Sequence, residues 1–182
     1  LANGDGLKTV YAEFRDLAGN VNSSIYIGAS TLDRIAPDIT IYNPDTDPAV
    51  YKTITASADH GTLRQAVTTG ATGDGTSGLN FVTYTALTLT SESDNGKKVC
   101  YRAVDGANNT TYSMSNAIAG IDRHAPTGTS TINNNAVYTG TGSVTLNNSI
   151  TGASEMHFSN DGSTFSDWIS YAISHAWTLI SG

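Results

Sequence analysis

Short stretches of alternating apolar and polar residues, separated by turn residues, run through most of the chain. The first stretch is Val10–Arg15, in which Val10, Ala12 and Phe14 share one face and the residues between them share the other. Alternation with a period of two is typical of a strand that is buried on one side only. The pattern predicts a strand at about residues 8–15 and a partner strand near residues 22–27, joined as a hairpin.

A turn signal of the form D-x-A-x-N closes the first strand, and the same signal returns later in the chain. Its residues are Asp16, Gly19 and Asn20 in the first copy and Asp105, Asn108 and Asn109 in the second. Aspartate at the start of such a turn accepts backbone N–H groups, and glycine or asparagine tolerates the positive φ that the fourth position needs. We therefore predict the same turn at both places.

Two pairs of markers indicate an internal repeat with one period. Asp16 and Asp105 are 89 residues apart, and so are Pro37 and Pro126, which end two similar D-R-x-A-P segments. Because the two pairs agree, the period indicates tandem modules. Proline restricts the preceding residue to extended geometry, so we expect the two D-R-x-A-P segments to be semi-rigid linkers between modules in an elongated array.

Residues 38–122 carry the pattern of one complete module. Seven strands are predicted there, at residues 39–41, 52–57, 63–67, 80–84, 87–89, 98–104 and 112–114, the last leading into 117–121. Seven short strands in about 85 residues are typical of an immunoglobulin-like β-sandwich. The predicted fold class is all-β, made of tandem immunoglobulin-like sandwiches, and we expect this module to fold alone.

A second module is predicted to be split across the two ends of the chain. Residues 127–182 show strands at 130–132, 143–146, 155–158 and 174–179, while residues 1–33 show only a hairpin. An isolated hairpin is marginally stable in water, so we expect it to join a sheet elsewhere. The predicted division is 1–33 as the C-terminal half of a module, 34–122 as a complete module, and 123–182 as an N-terminal half completed by residues 1–33 of a neighbouring copy.

The predicted seam between copies brings together small and apolar residues of both halves. They are Val10, Ala12, Phe14, Trp177, Leu179 and Gly182. A head-to-tail contact between copies need not close, so it propagates into a fibre, whereas folding back within one chain would give a closed monomer. We expect fibres, because a sandwich normally sends its two linkers out of opposite ends.

Composition narrows the range of functions. The net charge is −7 with only nine Lys and Arg, so the basic surface that nucleic-acid binding requires is missing. No run of 18 apolar residues and no charged leader occurs, so we expect no membrane span and no signal peptide in this stretch. A single cysteine, Cys100, cannot form an intramolecular disulfide and leaves the compartment open.

Motifs for catalysis are weak. The segment Gly73–Gly78 matches G-x-G-x-x-G, but it lacks the preceding strand and following helix of a dinucleotide site, which favours a plain loop. The four histidines show no paired ligand spacing, and no G-x-S-x-G nucleophile motif occurs. The sequence therefore predicts neither an enzyme nor a cofactor.

Two further groups of residues leave alternatives open. Aspartates at the linkers could supply hard oxygen ligands to Ca²⁺, or could only cap turns and keep the surface soluble. They are Asp33, Asp38 and Asp122, with Asp45 and Asp47 nearby. Trp168, Tyr171 and Trp177 could form a sugar-stacking surface, although Trp177, in an alternating strand, is expected in the core.

Several segments resemble bacterial immunoglobulin-like repeats that occur in tandem in large secreted or surface-anchored proteins. They are F-S-N-D-G-S-T-F-S-D-W at 158–168, W-T-L at 177–179, G-D-G-L-K-T-V-Y at 4–11 and F-R-D-L-A-G-N at 14–20, with a sister repeat at 91–105. The resemblance implies a non-enzymatic extracellular or cell-surface protein, one period of a filament, stalk or adhesin, whose partners are other copies of itself. The alternative is a glycan- or protein-binding module that uses exposed aromatics near Trp168. Related modules often carry a second cysteine near Gly73, and none stands there in this chain.

Overall fold

The computed structural model describes residues 4–68 and 78–180, and it is all-β, with 46% of residues in strands. Within these residues there is no α-helix, only a 3₁₀ turn at Glu92–Asp94, and hence no helix that is long and apolar enough to cross a bilayer. The expected all-β class is confirmed. The chain divides into two compact units, Leu1–Asp122 and Arg123–Gly182.

The first unit begins with a two-stranded antiparallel sheet. It consists of β1 (Gly6–Ala12) and β2 (Tyr26–Leu32). The predicted strand at 8–15 ends too late, because beyond Ala12 only an isolated bridge between Arg15 and Val21 continues the pairing. The partner strand also begins four residues later than predicted. The Asn22 side chain bonds the Phe14 N–H and the Ser24 carbonyl, and this takes the intervening residues out of the ladder.

Two antiparallel sheets follow in the same unit, consistent with a β-sandwich. In chain order their strands are β3 (Ile39–Tyr42), β4 (Lys52–Ala58), β5 (Thr62–Thr68), β6 (Val82–Thr83), β7 (Leu87–Leu89), β8 (Lys98–Val104) and β9 (Thr110–Met114). One sheet has the order β3-β4-β7 and the other β6-β5-β8-β9. The strands coincide with the predicted ones within two residues, except that 80–84 shrinks to β6 and 117–121 forms no strand.

Side chains from both sheets form one core between them. Ile54 and Leu89 come from the first sheet, and Val99, Tyr101 and Ala103 from the second. Burial raises the pKa of Tyr101 to about 12, with a smaller contribution from the neighbouring Tyr84. These residues alternate along their strands, so the period-two pattern of the sequence corresponds to the buried faces.

Two buried side chains of this unit lie outside its apolar core cluster. Lys52 is only 5% exposed, and its ammonium contacts the Asp45 carboxylate and the Asp47 carbonyl, each at 2.5 Å. Charged groups are buried only when they are paired in this way. Cys100 is 1% exposed on β8, where it lies opposite Ala66 of β5 and Met114 of β9.

The second unit contains one three-stranded and one two-stranded sheet. Its strands are β10 (Thr127–Ile132), β11 (Ser143–Thr151), β12 (Glu155–Met156), β13 (Ile169–Ser170) and β14 (Ser174–Thr178). The sheets have the orders β10-β11-β14 and β12-β13. The strand predicted at 155–158 is shorter, and β13 was not predicted. Among residues 123–180 only three are buried, and they alternate on β11: Val144, Leu146 and Asn148.

Candidate functional site

The two D-x-A-x-N turns have the same hydrogen bonds. The Asp16 carboxylate accepts the Asn20 backbone N–H at 2.8 Å and its side-chain amide at 2.9 Å, and the corresponding bonds from Asn109 to Asp105 measure 2.9 and 2.8 Å. The fourth residue has a φ of +92° at Gly19 and +69° at Asn108. In each turn the asparagine side chain, and then the backbone amides, hold the pKa of the aspartate below its ordinary value.

The match extends from the turns into the strands. The bridge between Arg15 and Val21 lies 89 residues before the pair Val104 and Thr110 in β8 and β9. The hairpin strand β1 is therefore the repeat of β8. By the same offset, Val10 corresponds to Val99, Ala12 to Tyr101 and Phe14 to Ala103.

The corresponding residues differ in environment, with Ala12 half-buried and the other two hairpin residues exposed. Val99, Tyr101 and Ala103 are all 0% exposed, whereas Val10 is 61% and Phe14 is 64% exposed. Further apolar side chains of the hairpin are also exposed, namely Leu7, Tyr11, Leu17, Val21, Ile25, Tyr26, Ile27 and Leu32. Exposed apolar surface of this extent on one small element is typical of an interaction site.

The second unit has an open groove lined largely by apolar side chains. Its walls include Ile132, Leu146, Phe158, Trp177 and Leu179. Trp177 pairs with Val144 of β11, and both Trp177 and Leu179 are only half-buried. The groove lies on the sheet β10-β11-β14, where Leu146 is buried while Trp177 and Leu179 stay partly open to solvent.

The loop 159–164 fixes the position of Trp177. The Asp161 carboxylate accepts the backbone N–H groups of Thr164 at 2.7 Å and Ser163 at 2.8 Å, and these bonds hold the pKa of Asp161 well below its usual range. The neighbouring Asn160 accepts the Trp177 indole N–H and donates to the Thr178 carbonyl, both at 3.1 Å. The S-N-D-G motif was noticed in the sequence, but the part that Asn160 plays in it was not.

The predicted seam residues lie in two places. Val10, Ala12 and Phe14 belong to the hairpin in the first unit, and Trp177 and Leu179 line the groove of the second. Gly182 lies outside the described residues. Phe158 also lines the groove, and the sequence analysis placed it in a strand without assigning it to the seam.

The linker aspartates act as local hydrogen-bond acceptors. Asp33 accepts the Ile35 N–H at 3.2 Å, and Asp38 accepts the Ile39 N–H at 3.0 Å. Asp45 is bound to the Lys52 ammonium, which lowers the pKa of Asp45. The ammonium thus already supplies the positive charge beside this carboxylate. In the part of the chain that the structure describes, Asp122 lies close to Glu92 and is not grouped with Asp33 or Asp38, so calcium binding at the linkers stays a prediction.

Three rings stack near Trp168. The His157 ring lies between Trp168, at 3.7 Å between centroids, and Phe165, at 4.4 Å, and both of these outer residues are at least half exposed. Tyr171 is half-buried instead, and its hydroxyl accepts the Ile150 N–H at 3.0 Å. An exposed aromatic surface is therefore present, formed by Phe165 and Trp168.

No protein-family model, curated protein or solved structure matches this chain.

Proposed function

We propose that this chain is a non-enzymatic, extracellular structural protein whose copies join head to tail into a filament, stalk or adhesin. The contrast between β1 and β8 is the observation that carries the proposal. Two strands with the same turn and the same apolar positions differ in whether a second sheet packs against them. In the central module, which is the sandwich formed by β3 to β9 and is also called the central sandwich, Val99, Tyr101 and Ala103 are fully buried, whereas in the hairpin Val10 and Phe14 are exposed.

The groove of the second unit offers the complementary surface. Complete burial of a valine or phenylalanine side chain is worth about 1.5–3 kcal/mol, so covering Val10 and Phe14 together gives a substantial driving force. The groove presents Leu146, Phe158 and Trp177, which would lose water at the same time. A contact of this kind joins two different surfaces, so it can repeat from copy to copy and need not close.

The sheet order of the central module supports its assignment as an immunoglobulin-like sandwich. The sheets β3-β4-β7 and β6-β5-β8-β9 have three and four antiparallel strands, and the core lies between them. The resemblance of the S-N-D-G, W-T-L and D-x-A-G-N segments to bacterial surface repeats supports a location outside the cell.

The proposal is tested with Phe14→Asp. A charge at this position would have to be buried without a partner in the assembled state, so we expect self-association to be lost. Leu17→Asp is the matched control, because it places the same charge on the same hairpin at a fully exposed turn residue. Sedimentation velocity and electron microscopy should show fibres for the wild type and Leu17→Asp, and monomers for Phe14→Asp.

Fibres of unchanged length and abundance with Phe14→Asp would overturn the proposal. The same would be true of a wild-type chain that stays monomeric at all concentrations tested. Circular dichroism of each variant checks that the central sandwich is still folded.

A second function, glycan binding, is favoured by the stacked rings at Trp168. Aromatic faces pack against sugar rings, and the exposed Phe165 and Trp168 flank His157 at stacking distance. Under this alternative, Trp168→Ala abolishes binding on a glycan array, while the control Tyr138→Ala, another exposed aromatic residue, leaves it unchanged. Absence of any wild-type signal on the array removes this alternative.

A further inference from the structure

We propose that β1 of a second copy, continued to Phe14, pairs antiparallel with the open edge of β12, continued from Ser154 to Phe158. In this register Phe14 lies opposite Ser154, Ala12 opposite Met156, and Val10 opposite Phe158. Within residues 123–180, β12 pairs only with β13, so its other edge carries no strand. This inference rests on the proposed function, and it adds the edge, the strand direction and the register.

The equivalence of β12 with β5 fixes the starting point. The Tyr84 N–H donates to the Leu63 carbonyl at 3.3 Å in the central module, and the Tyr171 N–H donates to the Ser154 carbonyl at 2.9 Å in the second unit. Each tyrosine hydroxyl also accepts a backbone N–H from the inner strand of the other sheet, from Ala56 at 3.1 Å and from Ile150 at 3.0 Å. Ser154 therefore holds the place of Leu63.

The central module shows which strand occupies the edge next to that position. There β5 pairs with β8, with Leu63 opposite Ala103, Gln65 opposite Tyr101 and Val67 opposite Val99. In the second unit β12 corresponds to β5, and β1 corresponds to β8 with an offset of 89 positions. Transferring the pairs of β5 and β8 to these strands gives the register proposed above. The hairpin turn is the same in both cases, so the outer strand of the hairpin follows β1 as β9 follows β8.

Residue sizes on the two sides of the seam compensate one another. Where the central module places Leu63 against Ala103, the proposed seam places Ser154 against Phe14, so the larger side chain has moved to the other strand. Packed cores tolerate exchanges that conserve total volume, so this exchange favours the proposed register over a slipped one.

Two observations indicate that the proposed pairs face the core. The Asn148 side-chain amide contacts the Met156 sulfur at 3.6 Å, and Asn148 shares the buried face of β11 with Leu146. Phe158 lines the groove. On the opposite, solvent face the register places Glu13 against Glu155, where the central module places Arg64 against Arg102.

Cysteine pairs in the full chain test the register. Ala12→Cys with Met156→Cys places two thiols directly opposite each other, where the Cα separation of an antiparallel pair suits a disulfide. The control combines Ala12→Cys with Ser154→Cys, which lies on the same face but two residues out of register. Cys100 stays in all variants, since it is buried and common to them. After mild oxidation, we expect a ladder of covalent oligomers on a denaturing gel for the first pair only.

Each other outcome has a definite meaning. Assembly by sedimentation without a cross-link, or a stronger cross-link in the control pair, overturns the register but leaves the proposed function standing. A cross-link confined to monomers overturns the assignment to a second copy. If the parent chain does not assemble, both the proposed function and this inference fail.

Charge reversal gives an independent measurement of the same register. Glu13→Lys and Glu155→Lys should each replace a repulsion with an attraction and lower the concentration needed for assembly, by roughly two- to five-fold for a cross-strand pair. The double variant restores like charges, so it should return to the wild-type value. Additive effects in the double variant would contradict a direct pairing of the two residues.

Discussion

The hairpin at residues 5–34 and the strands β8 and β9 are built to one plan, yet the apolar residues of the hairpin are largely exposed while Val99, Tyr101 and Ala103 of β8 are buried in a core. Both have an aspartate-centred turn with the same bonds and the same first cross-strand pair. The difference lies in the neighbouring sheet, which only β8 has. A strand's own sequence therefore specifies which of its faces is apolar, whereas the element that covers this face comes from another part of the chain or from another copy.

The largest difference is expected from side-chain truncation at corresponding strands. Tyr101→Ala removes a fully buried aromatic ring and should lower the free energy of unfolding of the central module by about 3–5 kcal/mol. Phe14→Ala should change the stability of the unassembled chain by about 0.5 kcal/mol or less, because Phe14 is mostly exposed. Urea denaturation at a concentration below assembly measures both, and equal losses would contradict the comparison.

A smaller effect is expected from Tyr101→Phe. The Tyr101 hydroxyl is buried and has no hydrogen-bond partner among residues 4–68 and 78–180. An unsatisfied buried polar group costs about 1–3 kcal/mol, so its removal should raise the free energy of unfolding by about 1 kcal/mol or more. Urea denaturation tests this. A loss of stability would mean that the hydroxyl is satisfied in solution.

The smallest effect concerns acid. The turn bonds lower the folded-state pKa of Asp105, so the stability that they add is present above the ordinary aspartate pKa of 3.8 and is lost as the pH falls through the lowered value. Asp105→Asn should remove this part of the acid sensitivity of the central module below about pH 4. Asp16→Asn is the control and should leave central melting unchanged. Thermal melts from pH 5 to 2 compare the two variants.

Sequence patterning located the strands best where alternation is strong and both ends carry turn residues. The strands β7 and β8 coincide with their predicted bounds, and the all-β class follows from the same signal. Residues 22–25 were placed in a strand wrongly, because the side-chain bonds of Asn22 compete with the ladder there. The two-residue strand β13 is too short to carry any period.

The residues of the candidate site could be predicted only in part from the sequence. The repeat identified Val10, Ala12 and Phe14 as an apolar face, but the groove depends on Phe158 and on the contact between Asn160 and Trp177, which join residues far apart in the chain. The burial of Lys52 was also missed, since it depends on the acidic loop that folds over its ammonium.

The buried position of Cys100 makes its thiol a reporter of opening in the central sandwich. The thiol is 1% exposed on β8, between β5 and β9, so a thiol-reactive dye reaches it only when this part of the central sandwich opens. The labelling rate therefore counts openings of the central sandwich and ignores events at the hairpin or the groove. Stretching a fibre while the dye is present would distinguish modules that unfold under load from joints that slip, because only unfolding leaves a covalent mark.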